Sequence, residues 1–221
     1  MSARGHQFDM QNKPLLKILE DGVSTLGLSC PDNSLARLIQ YLALLEKWNQ
    51  AYNLTAVRDP VKMVSLHLLD SVSVSPFLTG SRILDVGTGA GLPGIPLALI
   101  NPDKTFVLLD SNAKKTRFVR QAKMEIKLKN VEIVRSRLEA FHVDHKFDTI
   151  VTRAFTDLCA IVAGTRHLLR RGGQIAAMKG RSSTVEIGQI GEFKFRVVPI
   201  AVPGVDAERY LVLVSPTSLD A

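Results

Sequence analysis

The segment Ile83-Leu84-Asp85-Val86-Gly87-Thr88-Gly89-Ala90-Gly91-Leu92-Pro93-Gly94 constrains this chain more than any other. A short apolar run that breaks into closely spaced glycines reads as a buried strand, a tight turn and a helix start. Glycine takes positive φ without steric cost, and its missing side chain lets a ligand approach the backbone. The reading places a strand at Arg82–Val86 and a helix from Gly94 to Ile100, stopped at Asn101-Pro102. Strand and helix then keep alternating. Strands are expected at Thr105–Leu109, Val131–Val134, Phe147–Thr152 and Gln174–Met178. Helices are expected from about Lys114 to Leu128 and from Leu158 to Arg170, the second capped by Gly172-Gly173. Two β-rich runs, Phe195–Ala201 and Tyr210–Val214, flank Pro203-Gly204 and read as a closing antiparallel pair. Such βα units predict an α/β, mainly parallel, seven-stranded, doubly wound sheet with ligands at the carboxyl ends of its strands.

Upstream of Ser81 the periodicity is helical. Pro31-Asp32-Asn33-Ser34 opens a helix whose Leu35, Leu38, Ile39, Leu42 and Leu45 share one face, continuing through Trp48 toward Tyr52. A shorter amphipathic segment runs from Leu15 to Leu26, and a third helix is expected near Val61 to Val74. Residues 1–80 are therefore read as a helical extension packed on a core of residues 81–221, the two forming one structural unit. With 221 residues and 46% hydrophobic content, the chain suits one sizeable domain and not a disordered one. Met1 to Asn12 lacks an apolar signal-peptide core, and no run of about 18 apolar residues occurs. Cys30 and Cys159 build neither a zinc spacing nor a disulfide framework. These features point to a cytoplasmic protein without a metal, and nothing demands more than a monomer.

The glycine turn matches a dinucleotide fingerprint at Gly89, Gly91 and Gly94, yet Asp85 stands directly before it, where a carboxylate repels a pyrophosphate. A carboxylate there suits an ammonium, which the methionine end of S-adenosylmethionine carries. Asp110 ends the second strand, 23 residues after Gly87, placed to accept the ribose hydroxyls of an adenosine. Leu138 and Glu139 follow the third strand, where an adenine would be framed, and Arg153 follows the fourth, over the reactive end of the ligand. The set indicates a Rossmann-like class I methyltransferase. A nicotinamide-dependent oxidoreductase is the rival reading, disfavoured by Asp85 and by the lack of a hydride-transfer constellation.

The net charge of +7 has one location: between Ser111 and Arg137 stand nine basic residues (Lys114, Lys115, Arg117, Arg120, Lys123, Lys127, Lys129, Arg135, Arg137) against two acids, Glu125 and Glu132. A solvated helix face is the plain account. A basic patch beside a cofactor site instead suggests a polyanion, though charge alone does not separate RNA from DNA or an acidic lipid surface.

Several runs occur together: Asn53-Leu54-Thr55, His67-Leu68-Leu69-Asp70-Ser71, the turn Asp85 to Gly94, Lys114-Lys115, Thr152-Arg153-Ala154 and Lys179-Gly180. On these, from about Leu35 to Gly180, the chain resembles the bacterial 16S ribosomal RNA guanine-N7 methyltransferases, the GidB or RsmG family. The resemblance implies methyl transfer from S-adenosylmethionine to nitrogen 7 of one guanine in the small-subunit RNA. It implies cofactor contacts at Gly87, Leu92, Leu138, Glu139 and Arg153. Many relatives carry Glu where this chain has Asp110, which shortens the reach and keeps the charge. Nitrogen 7 of neutral guanine has a lone pair and no proton, so no general base is required, and Arg153 is expected to position the reactants. Lys114, Lys115, Arg117 and Arg120 are candidates for RNA phosphates, as are Lys179 and Arg181, for which simple exposed cations are the alternative. His67 is open between a role at the site and a structural hydrogen bond to Asp70 or to backbone. Trp48 and Tyr52 are open between a core pair and a base-stacking pair. Other substrates, a small molecule or a protein side chain, and a non-enzymatic role in ribosome assembly complete the alternatives.

Overall fold

The structure is a computed structural model that describes residues 3–153, 157–180 and 193–216, with side chains from residue 12 onward. Helix α1 (Ala3–Thr25) begins well before Leu15. Pro14 lies inside it and removes one backbone hydrogen bond without ending the helix. Helix α2 (Ser34–Tyr52) lies between Asn33 and Asn53, both left-handed at φ 61° and 49°. Asp59 then caps α3 (Pro60–Met63) by accepting the Val61 N–H at 2.9 Å. A π-helical turn, Val64–Leu69, leads into α4 (Asp70–Val72).

The sheet comprises β1 (Arg82–Val86), β2 (Thr105–Asp110), β3 (Val131–Arg135), β4 (Phe147–Thr152), β5 (Leu169–Gly180), β6 (Phe193–Pro199) and β7 (Arg209–Pro216). Their order is β3-β2-β1-β4-β5-β7-β6, with β1 to β5 parallel and β7 antiparallel between β5 and β6. Helices α5 (Gly94–Ile100), α6 (Ala113–Glu125) and α7 (Leu158–Thr165) make the crossovers. The seven strands stand where the sequence pattern puts them, with one larger departure. The helix expected to reach Arg170 stops at Thr165, a single 3-10 turn follows, and β5 already starts at Leu169. Gly172-Gly173 is thus an irregularity inside β5, not a helix cap. The pairing with β4 shifts register there, and a Cβ on Gly173 would lie 2.9 Å from the Asp148 carbonyl oxygen.

Strand residues divide between two hydrophobic clusters. Ile83, Phe106 and Leu108 face a cluster with α1, α2, α5 and α6, while Leu84, Val86, Val107 and Leu109 face one with α7. That alternation is what a sheet covered on both faces demands. Helix α2 runs antiparallel to α6. At one end Arg37 donates to the carbonyls of Ile126 (3.0 Å) and Lys127 (3.2 Å), satisfying acceptors that the end of α6 leaves open. Toward the other end the Trp48 ring lies 5.6 Å from Phe118.

Candidate active site

Asp85, at the carboxyl end of β1, is fully buried. Its Oδ2 accepts from the Thr88 hydroxyl at 2.6 Å and the Gly94 N–H at 2.8 Å, so one carboxylate oxygen ties the turn together. Gly94 has to be glycine, because a Cβ there would lie 2.6 Å from that oxygen. The other oxygen, Oδ1, is buried and has no hydrogen-bond partner among the described residues. Burial pushes the carboxyl up to about 6, against the bonds from Thr88 and Gly94 that favour the anion. A buried acceptor left open, at the carboxyl end of the central strand, fits the ammonium of an amino-acid ligand.

The turn itself rests on Asp110. Its Oδ2 accepts the Gly89 N–H at 2.8 Å and its Oδ1 accepts the Asn112 N–H at 2.8 Å. Gly89 has φ +61°, and a Cβ there would meet only ordinary contacts, the Gly87 carbonyl oxygen at 3.9 Å and Lys115 Nζ at 4.0 Å, whereas Gly91 has φ +92° and Ile95 packed 2.7 Å from the position of a Cβ. Backbone conformation alone asks for glycine at the first position, and packing asks for it at the second as well.

Gly87, Asp110, Leu138 and Glu139 line a cavity of about 410 Å³ together with Lys115 and Arg137. Asp85, Gly89, Gly91 and Leu92 do not line it. The first three shape the turn beside it, and Leu92 is buried in the hydrophobic core. Arg153 lines a second cavity, of about 430 Å³, with His67, Asp70, Lys179, Arg209 and Tyr210. Asp85 pairs with Val151 across the parallel β1–β4 ladder, so Gly87 and Arg153 leave their strands at the same level. Arg153 donates to the Leu66 carbonyl at 3.1 Å and stands 3.5 Å from Asp70 Oδ2, while Arg209 Nε stands 3.3 Å from Asp70 Oδ1. Burial raises the Asp70 carboxyl above its usual range, and the two arginines oppose that.

His67 does not bond Asp70: its Nε2 lies 2.9 Å from Thr55 Oγ1. Burial, then the Arg153 charge, lowers it to about 4, so it is neutral near pH 7. Lys179 is buried and lines the cavity, which removes the reading of a simple exposed cation. Arg181 lies outside the described residues. Lys114, Arg117 and Arg120 are exposed on α6, and Lys115 turns toward the glycine loop. Sequence reasoning missed Asp70 as a bridge and Arg209 altogether. Nothing in the spacing of residues 139 apart announces an ion pair, and only the antiparallel insertion of β7 creates it.

The family described as rRNA small subunit methyltransferase G (GidB) matches residues 34–207. The chain belongs to this family. Among similar proteins, the ribosomal RNA small subunit methyltransferase G of Methylococcus capsulatus is 48% identical over 205 residues, covering 92% of this chain and 100% of that protein. The same-named protein of Chromobacterium violaceum is 50% identical over 197 residues, covering 88% and 94%. A SAM-dependent methyltransferase from Aquifex aeolicus, at 18% identity, shares the fold with a TM-score of 0.59 over 78% of this chain and 97% of that one. The GidB fold is thus the Rossmann-like methyltransferase sheet with its antiparallel β6–β7 pair. Among the described residues no helix is long and apolar enough to cross a membrane.

Proposed function

We propose that this chain is an S-adenosylmethionine-dependent methyltransferase acting on nitrogen 7 of one guanine in the 16S ribosomal RNA of the small subunit. The observation that carries the reading is the match of residues 34–207 to the small-subunit rRNA methyltransferase family. The open acceptor on Asp85 supports the cofactor side of it.

Bound S-adenosylmethionine supplies an electrophilic methyl group on a sulfonium. Asp85 Oδ1, beneath the turn, is the residue atom that would accept from its ammonium, a charge-assisted bond that would contribute about 1.5–3 kcal/mol. Asp110 would accept the ribose hydroxyls with the lone pairs that Gly89 and Asn112 leave free, and Glu139 and Leu138 would frame the base. Gly87 lets the backbone pass close to the ligand, and Gly89, Gly91 and Leu92 hold the turn in shape. The target guanine enters the cavity of His67, Arg153 and Lys179. Its nitrogen 7 already carries the attacking lone pair, so the neutral His67 need not remove a proton. Arg153, fixed by Leu66 and Asp70, presents a guanidinium to the acceptor edge of the base, and catalysis is in-line positioning in a shielded site. Lys114, Lys115, Arg117 and Arg120 supply sequence-independent affinity for phosphates, and specificity comes from RNA shape. In this reading the protein is a cytoplasmic monomer. Residues 1–80 and 81–221 act as one unit, supported by the hydrophobic cluster that α1 and α2 share with α5 and α6.

The test is methyl transfer from radiolabelled S-adenosylmethionine to small subunits lacking the modification, followed by mapping of the modified base. Label at nitrogen 7 of a single guanine is the expected result. Label on a protein or a small molecule, or none with cofactor bound, overturns the substrate.

A further inference from the structure

The proposed function leaves the aromatic end of α2 without a role. Trp48 and Tyr52 stack with ring centroids 5.2 Å apart and planes inclined by 28°. Trp48 is half-buried and leans on Phe118 of α6, which is fully buried. Tyr52 is 39% exposed, so the stack is anchored on the core at one end and open to solvent at the other. Neither a simple core pair nor a freely rotating surface tyrosine matches that arrangement.

Its place in the fold is informative. Because α2 runs antiparallel to α6, Arg37 reaches the last carbonyls of α6, Trp48 meets Phe118, and Tyr52, one turn further, comes level with the first turn of α6. That first turn carries the exposed Lys114 and the cavity-lining Lys115. Beyond Tyr52 the chain is pinned: the Thr55 N–H donates to Asn49 Oδ1 at 2.9 Å, and Thr55 Oγ1 meets His67 in the second cavity. Three residues span at most about 11 Å, so the Tyr52 backbone lies no further than that from Thr55, whose hydroxyl meets the cavity-lining His67. Arg58, bonded to Asn53 Oδ1 at 3.1 Å, adds a cation on the loop side. An exposed, pre-stacked ring among cations is the arrangement by which proteins hold unpaired bases: stacking serves the base and the charges serve the phosphates.

We infer that Tyr52 is a stacking platform for an unpaired base of the substrate RNA that flanks the reactive guanine. The inference rests on the RNA reading above and names the subsite that reading lacks. Two rings already in contact lose little freedom on binding, so the platform is pre-organised.

Trp48 is the only tryptophan of the chain and touches Tyr52, which makes it an internal reporter. A short single-stranded, guanine-containing oligoribonucleotide is titrated under tryptophan-selective excitation, and KM is measured with unmodified small subunits. In wild type the RNA quenches Trp48 emission. Tyr52→Ala weakens oligonucleotide affinity and raises KM by roughly 5- to 150-fold, the span known for one base–aromatic stack. In Tyr52→Ala kcat and cofactor affinity stay near wild type, and Tyr52→Phe, which keeps the ring, restores most of the loss. Thermal melts check that both variants fold. Affinity and KM within about two-fold of wild type in Tyr52→Ala overturn the inference, as does equal damage from Tyr52→Phe. A shift in self-association by sedimentation, with RNA affinity unchanged, overturns it by assigning the ring to a protein contact. If wild type transfers no methyl to small subunits, the functional reading fails, and the oligonucleotide comparison still decides the case of Tyr52.

Discussion

Replacing Asp85 by Asn separates the two jobs of that side chain. The amide oxygen still accepts from Thr88 and Gly94, so the turn keeps its tie, while the charge opposite the cofactor's ammonium disappears. Loss of one charge-assisted bond predicts affinity for S-adenosylmethionine weaker by roughly 10- to 150-fold at pH 7. The wild-type protein carries its own control in pH. Its carboxyl titrates at about 6 without ligand, and the ammonium, with a pKa near 8, stays charged below pH 7. Cofactor affinity should therefore fall about two-fold from pH 7 to pH 6 and about 10-fold from pH 7 to pH 5, as the proton competes for the carboxylate. In Asp85→Asn this dependence vanishes. The folded pKa lies above the unfolded value of 3.8, so the group's stabilising contribution is complete below about pH 3.8 and is lost as pH rises through about 6. The loss amounts to about 3 kcal/mol. Near neutral pH the variant is spared that cost and instead buries an unpaired amide N–H, at about 1–3 kcal/mol, so the two nearly offset and it should fold. Calorimetric titration at pH 5, 6, 7 and 8 reads all of this. A variant binding as tightly as wild type, or a wild-type affinity flat down to pH 5, refutes the assignment of Asp85 to the ammonium.

Three further outcomes follow from the same geometry. Gly91→Ala should lower stability by about 1–3 kcal/mol, because φ is +92° and Ile95 occupies the space; Gly89→Ala should cost only about 1–2 kcal/mol but weaken cofactor binding. Denaturant midpoints paired with calorimetry separate them, and a reversed ranking is the contrary result. Arg117→Glu with Arg120→Glu should weaken RNA binding and make the salt slope shallower by about 0.7–0.9 for each phosphate no longer neutralised, leaving cofactor affinity alone. Lys115 is a poorer choice because it lines the cofactor cavity, and an unchanged salt slope would detach α6 from RNA. His67, lowered to about 4, should give no inflection near pH 6.5 in kcat/KM. Since its folded pKa lies below the unfolded 6.5, the stability it contributes falls as pH drops from about 6.5 to 4, a slope that His67→Asn should remove. An inflection near 6.5 that disappears in that variant would make His67 an acid or base after all.

What the sequence made legible has a common physical basis. The turn from Asp85 to Gly94, the βα alternation and the basic run on α6 are local: each is written in consecutive residues whose spacing matches a strand, a helix or a tight turn. The helical pattern also carried α2 through Trp48 toward Tyr52, where the helix ends. The misreadings are all tertiary. Gly172-Gly173 looks like a helix stop until Asp148, 25 residues earlier, is known to press its carbonyl against Gly173. The π turn at Val64–Leu69 keeps a helical hydrophobic pattern and so left no mark. Asp85 was read for its charge, whereas half of its work is to hold Thr88 and Gly94, which a one-dimensional reading has no means to weigh. Asp70 and Arg209 meet only because distant strands do.

The insertion of β7 between β5 and β6 bears on how the protein is made. Synthesis delivers both neighbours before the strand that joins them. Until residues 209–216 emerge, β5 presents an unpaired edge to any other extended chain, β6 has no sheet to belong to, and Asp70 has only one of its two arginines. A nascent chain that has completed the cofactor turn therefore still lacks the wall of the second cavity, and competence for the base arrives with the final strand.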